Sequence, residues 1–220
     1  MTRQLKFARR AAKSGRATSL VVFVHGYGAD GADLLGLADV MAAALPDTVF
    51  TAPDAPEACA GNPFGRQWFS IPWLDGSSPV EAAVGLAAAA DDLGAFLDAR
   101  LADEGLGPEA LALVGFSQGA MLSLHVAVRR AVAVAAVVSY SGRLLVPERL
   151  AAEARARPPV LLVHGDADPM VPFGDMAIAA DALTQAGFSV AGHVMHGVGH
   201  GIAPDGLAVA LDFLRERLPG

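Results

Sequence analysis

The chain has 220 residues, of which 53% are hydrophobic and 18% charged. That composition excludes a disordered chain, because burial of so much apolar surface can offset the ordering entropy, and the length suits one domain of ~200 residues. Sixteen Lys and Arg against twenty-three Asp and Glu leave a formal charge of −7, which repels phosphate backbones and anionic headgroups and so disfavours nucleic acid and membrane surfaces as partners.

Residues 1–16 carry six basic side chains and no acid, and Arg9-Arg10 is a twin arginine. A secretory signal would continue into ~7–15 apolar residues, whereas Ala11-Ala12-Lys13-Ser14-Gly15-Arg16 follows here. A solvated edge strand and loop is expected instead. Leu20–Val24, Thr48–Thr51, Leu111–Val114, Ala133–Val138, Val160–Val163 and Ser189–Val194 read as strands. They are nearly continuous apolar runs, which implies burial on both faces, as in a parallel sheet.

Helical patterns lie between them at Ala32–Leu45, Val80–Leu101, Gln118–Arg130, Asp175–Ala186 and Leu207–Leu218. In the longest, Val80, Val84, Ala87, Leu93, Leu97 and Leu101 form an apolar stripe, with Asp91, Asp92 and Asp98 placed elsewhere. The alternation predicts a single α/β domain over residues 1–220, with a mostly parallel central sheet, helices on both faces and no cap domain. Ala52–Pro79 is the one long irregular stretch. It holds both tryptophans, Trp68 and Trp73, and loops of that length are usually functional.

The apolar content is not a membrane signal. Runs such as Ala131–Val138 fall far short of the ~20 residues a spanning helix needs, so no stable membrane insertion is expected. The single cysteine, Cys59, excludes an internal disulfide and a cysteine metal cluster, and fits a soluble cytoplasmic protein. The apolar surface this composition must leave exposed makes a homodimer plausible.

Gly115-Phe116-Ser117-Gln118-Gly119 carries the strongest chemical signal. It follows an apolar strand and opens a helix, the context of a G-x-S-x-G nucleophile elbow. There the serine occupies a strained turn, the flanking glycines remove side chains that would collide, and the helix N-terminus points N–H groups at the reacting atoms. A serine hydroxyl needs a base, and the base needs an orienting acid. In this topology they follow in the order Ser, acid, His, each after a later strand.

Asp166 and Asp168 both lie in the segment after Val160–Val163, and His193, His196 and His200 all lie near the base position. His193 falls inside a strand run and reads as a packed or edge residue. His200, between Gly199 and Gly201, is somewhat better placed than His196 to reach over Ser117. The oxyanion donors expected are the backbone N–H groups of Gln118 and of Tyr27, the latter flanked by Gly26 and Gly28. His25 reads as a loop-pinning residue and His125 as a packing residue. No metal or organic cofactor is implied.

These residues resemble the phospholipase/carboxylesterase family of small serine α/β-hydrolases, which includes acyl-protein thioesterases and bacterial carboxylesterases. The matching stretches are Val21–Gly31, Gly115–Gly119, His164–Pro172 and Gly197–His200. The resemblance implies an α/β-hydrolase fold, Asp168 as acid and His200 as base. It further implies a small-molecule carboxylic ester as substrate, with short or medium acyl, aryl, lysophospholipid or thioester groups. It makes Trp68 and Phe69 an acyl-pocket segment, with Trp73 and Met170 bordering the cleft. Family members usually carry Asp after the Trp-Phe pair, where this chain has Ser70.

Two other readings compete. Gly26-x-Gly28-x-x-Gly31, followed by Asp54, is formally the fingerprint of a dinucleotide-binding oxidoreductase, although it leaves the serine elbow and both later motifs unexplained. The other is a non-catalytic binding protein on a hydrolase fold.

Overall fold

A computed structural model describes residues 2–59 and 62–220. Ala60 and Gly61, within the Ala52–Pro79 stretch, lie outside the described residues. In chain order the elements are β1 (Phe7–Arg10), β2 (Ser19–Val24), α1 (Gly31–Leu35), α2 (Leu37–Met41), β3 (Thr48–Pro53), β4 (Glu57–Cys59) and β5 (Asn62–Gln67). Then come α3 (Pro72–Asp75), α4 (Pro79–Glu104), β6 (Leu111–Phe116), α5 (Gln118–Ala127), β7 (Ala136–Tyr140) and α6 (Leu150–Glu153). The chain finishes with β8 (Val160–Gly165), α7 (Gly174–Gln185), β9 (Val190–Met195) and α8 (Pro204–Arg215).

Seven strands form one sheet in the order β1-β3-β2-β6-β7-β8-β9. All neighbours are parallel except β1, which pairs antiparallel with β3. Successive residues of β2 alternate between two cores: Leu20, Val22 and Val24 face one, and Val21 and Phe23 the other. Residues of α4, α5 and α7 cover the first face, and residues of α1, α2 and α8 cover the second. This explains the uninterrupted apolar strands, since both sides of the pleat exclude water.

The basic N-terminal segment is the edge strand expected. Its arginines are spent on ion pairs, Arg9 with Glu104 and Arg10 with Asp39. Five expectations need correction. The Ala32–Leu45 pattern folds as two short helices meeting at Gly36, with α1 opened by an Asp30–Asp33 capping box. The α4 stripe is buried only toward its C-terminal end, at Leu93, Leu97 and Leu101, together with Ala89 and Phe96. Val80, Val84 and Ala87 are exposed, because at 3.6 residues per turn they fall on a different face of this 26-residue helix from Leu93, Leu97 and Leu101.

Asp92 is not on the outer face either. It is buried, and accepts hydrogen bonds from the Arg3 backbone N–H and from Arg3 Nε, both at 2.6 Å. Strand β9 closes the sheet at its other edge, so Ala191 and Gly192 are exposed and the strand is only partly buried. Finally, Ala52–Pro79 is not irregular throughout: β4 and β5 form a hairpin within it, and α3 follows.

Candidate active site

Ser117, Asp168 and His200 stand on loops at the C-terminal ends of β6, β8 and β9, where parallel register brings those ends together. Ser117 has φ 53° and ψ −118°, a left-handed conformation that costs a non-glycine residue free energy. Its N–H donates to the Tyr140 carbonyl at 2.8 Å, which fixes the turn. The glycines around it answer close approaches. A Cβ on Gly115 would sit 2.5 Å from Ala120 Cα, and one on Gly119 would collide with the Val24 carbonyl of β2.

His200 Nε2 lies 2.9 Å from Ser117 Oγ, and His200 Nδ1 lies 2.8 Å from Asp168 Oδ2. The Phe116 ring rests against the His200 imidazole with centroids 4.8 Å apart. Asp168 Oδ1 accepts the N–H groups of Met170 at 2.8 Å and Val171 at 3.0 Å. Burial pushes the Asp168 carboxyl up, but the hydrogen bonds from His200, Val171 and Met170 outweigh it and hold the group below the usual aspartate value.

The neighbouring acid and histidines are engaged elsewhere. Asp166 Oδ2 pairs with His196 Nδ1 at 2.8 Å, and its Oδ1 accepts the Gly197 N–H at 2.7 Å. His193 Nε2 pairs with Asp205 Oδ2 at 2.8 Å. His25 pins its loop: Nδ1 donates to the Gly26 carbonyl at 2.7 Å and Nε2 accepts the Ala55 N–H at 3.0 Å. Burial lowers its pKa, so it stays neutral. His125 lies between α5 and α4, remote from the serine end of α5, with its pKa pushed down to about 4 by burial and Arg129.

The Tyr27 loop is clamped from two sides. A Cβ on Gly26 would lie 3.3 Å from Ser117 Cβ, so this backbone passes directly beside the serine. On the far side β5 crosses it: the Gly28 N–H donates to the Arg66 carbonyl and the Arg66 N–H to the Ala29 carbonyl, both at 2.8 Å. Gly28 itself has φ +80°.

Trp68 and Phe69 are not cleft walls. Trp68 is 0% and Phe69 5% exposed. The Trp68 indole N–H donates to the His25 carbonyl at 2.9 Å, and its ring packs on the His25 imidazole. The Gln118 side chain, buried beneath the elbow, accepts the Trp68 N–H at 2.9 Å and donates to the Phe69 carbonyl at 2.7 Å. The segment therefore supports the elbow from inside. Sequence reasoning missed this use of Gln118, because only its backbone was considered.

Trp73 and Met170 are exposed at the surface. The guanidinium of Arg143 lies 4.9 Å from the Trp73 ring centroid and pairs with Asp175 of α7, an association no sequence signal marked. Next to Phe116, which precedes the serine, a pocket of about 260 Å³ opens between His25, Gly26, Ala29, Asp33, Leu34 and Ile202. Its walls are mainly apolar, and Leu34, Phe116 and Ile202 were also missed.

A mostly parallel seven-stranded sheet covered on both faces, with a serine in a strained strand-to-helix turn, is an α/β-hydrolase. Residues 7–218 match the family model for Phospholipase/Carboxylesterase, and the chain belongs to that family. It is a carboxylesterase-type hydrolase.

Relatives include "Esterase YpfH" of Escherichia coli K12, 28% identical over 92% of this chain and 84% of that protein. "Acyl-protein thioesterase 1" of Saccharomyces cerevisiae is 29% identical over 96% of this chain and 97% of that protein. The crystal structure of "esterase PE8" superposes with a TM-score of 0.93 at 44% identity, covering 98% of this chain and all (100%) of the other. Membership of this family replaces the dinucleotide reading. The glycines of that pattern serve other ends: the Gly31 N–H donates to Asp54 Oδ1 at 3.0 Å, and α1 has only five residues. No described helix is long and apolar enough to cross a membrane.

Proposed function

We propose that the protein hydrolyses carboxylic esters of short or medium acyl chains, or of aryl alcohols, through an acyl-enzyme on Ser117. One observation carries this reading: the hydrogen-bonded series Ser117 Oγ, His200 Nε2, His200 Nδ1, Asp168 Oδ2, with contacts of 2.9 and 2.8 Å. In the reaction His200 takes the hydroxyl proton as Ser117 attacks the carbonyl carbon, and Asp168 holds the Nδ1–H tautomer and stabilises the imidazolium. The backbone N–H groups of Gln118, at the start of α5, and of Tyr27 face the developing oxyanion. His200 then protonates the leaving alcohol, and activates the water that releases the acid.

The mainly apolar pocket next to Phe116 supports an uncharged hydrocarbon limb on the substrate. Trp73 and Met170 border the cleft. Trp68 and Phe69 act from beneath it. The test is a p-nitrophenyl ester series from acetate to palmitate, with Ser117→Ala in parallel. Hydrolysis peaking at short chains and lost in the variant is the expected result. A peak at long chains would redirect the search to lysophospholipids or acyl-proteins, and Ser117→Ala with wild-type activity would remove the reading. A non-catalytic binding role ends with covalent labelling of Ser117 by a fluorophosphonate. Sedimentation at low ionic strength tests the homodimer.

A further inference from the structure

His164 takes no part in the scheme above, yet it is almost entirely buried at the end of β8, four residues before Asp168. Its Nε2 lies 3.0 Å from the Val171 carbonyl oxygen and 3.4 Å from Asp168 Oδ2. A carbonyl oxygen only accepts, so Nε2 carries the hydrogen and bonds the Val171 carbonyl, with Asp168 Oδ2 a longer contact beside it. The edge of its ring is met by Phe173, centroids 6.0 Å apart, which limits rotation.

The Asp168 carboxylate has none (0%) of its side-chain surface exposed, so water cannot serve its lone pairs. An ionised carboxylate offers about four acceptor positions. Met170 and Val171 N–H groups occupy two on Oδ1 and His200 Nδ1 occupies one on Oδ2. Near the fourth, on Oδ2, the closest remaining donor is His164 Nε2 at 3.4 Å. We propose that His164 is a positioning residue: its Nε2–H, shared between the Val171 carbonyl and Asp168 Oδ2, fixes the carboxylate plane so that Oδ2 meets His200 Nδ1 head-on. This rests on the reading of Asp168 and His200 as acid and base.

Two variants separate positioning from packing. His164→Gln can place an amide N–H where Nε2 stood; His164→Phe keeps a ring and removes the donor. For p-nitrophenyl acetate, His164→Phe should lower kcat by about tenfold with KM within about twofold, since a lost hydrogen bond to a charged group acts here on the base. His164→Gln should stay within about threefold of wild type. The far-downfield NMR signal of the His200 Nδ1–H should shift or broaden in His164→Phe and persist in His164→Gln. A folded His164→Phe with unchanged kcat and an unmoved signal would overturn the proposal.

If His164→Phe does not fold, the wild-type protein decides. Nitrogen-15 shifts must show His164 protonated at Nε2, and a bare Nε2 would refute the assignment. Failure of the triad reading is separately visible, because Ser117→Ala would then retain hydrolysis whatever the His164 tautomer.

Discussion

Replacing Trp68 by alanine distinguishes a cleft wall from an internal support. A wall residue would raise KM and leave the melting temperature nearly unchanged. The structure requires the opposite. Trp68 is the largest of the fully buried side chains. A buried tryptophan removes ~150–250 Å² from water, which at ~25 cal/mol per Å² is ~4–6 kcal/mol. Tryptophan-to-alanine changes in cores cost a comparable ~3–5 kcal/mol. The His25 carbonyl also loses its indole partner.

For a domain of this length each kcal/mol moves Tm by ~2–4 °C, so a fall of about 6–20 °C is expected. Trp68→Phe keeps a ring and loses the N–H donor, so it should fall between the two. Calorimetry and steady-state kinetics on p-nitrophenyl acetate at 20 °C give both quantities from one preparation. KM should stay within about twofold while kcat drops, because Trp68 and Phe69 reach the site only through Gln118 and His25. A tenfold rise in KM with Tm unmoved would refute the reasoning.

The two acids of the 166–168 segment should separate kinetically. Asp168→Asn should cost ~10³–10⁴ in kcat, as loss of the orienting acid does elsewhere, whereas Asp166→Asn, which loosens only the His196–Gly197 turn, should cost under about tenfold. Equal losses would mean the assignment is wrong. Gly119→Ala drives a methyl into the Val24 carbonyl and should destabilise the fold by ~1–3 kcal/mol with a disproportionate loss of rate; an unaffected esterase would refute the close approach.

His125 makes stability pH-dependent. Its folded pKa is about 4 against 6.5 for the ordinary imidazole. The unfolded chain therefore binds a proton there before the folded chain does, and stability present above pH 6.5 drains away as pH falls toward 4. Thermal melts from pH 7 to 4 should show a shallower decline in His125→Gln than in wild type. Parallel curves would refute it.

Much of this architecture is legible in the sequence because its strands are buried on both faces. Leu20–Val24 or Val160–Val163 can only be continuous apolar runs, and the Gly115–Gly119 spacing follows from a helix pressed against β2. What escapes is set by tertiary partners. Asp92 reads as solvated until Arg3, 89 positions away, reaches it. Trp68 stands among loop residues, and nothing local says that the chain turns inward there to meet Gln118.

The choice of Asp168 over Asp166 has the same origin. Both side chains hold a histidine at 2.8 Å, so neither composition nor spacing separates them. Backbone lacing does. The Asp166 N–H donates to the Met195 carbonyl and the Ala167 N–H to the Val198 carbonyl, and a Cβ on Gly165 would collide with that same Val198 oxygen. The acid loop and the 196–200 turn are thereby drawn into one unit, with the Asp166–His196 pair on its outer side. The chain then reverses, carrying His200 inward over Ser117 while the Asp168 carboxylate is folded away from water. Asp166 sets where the loop lies, and Asp168 sets how the imidazole within it is aimed. The reactive geometry is built by main chain first, and two chemically identical acids acquire different tasks from which side of that lacing they face.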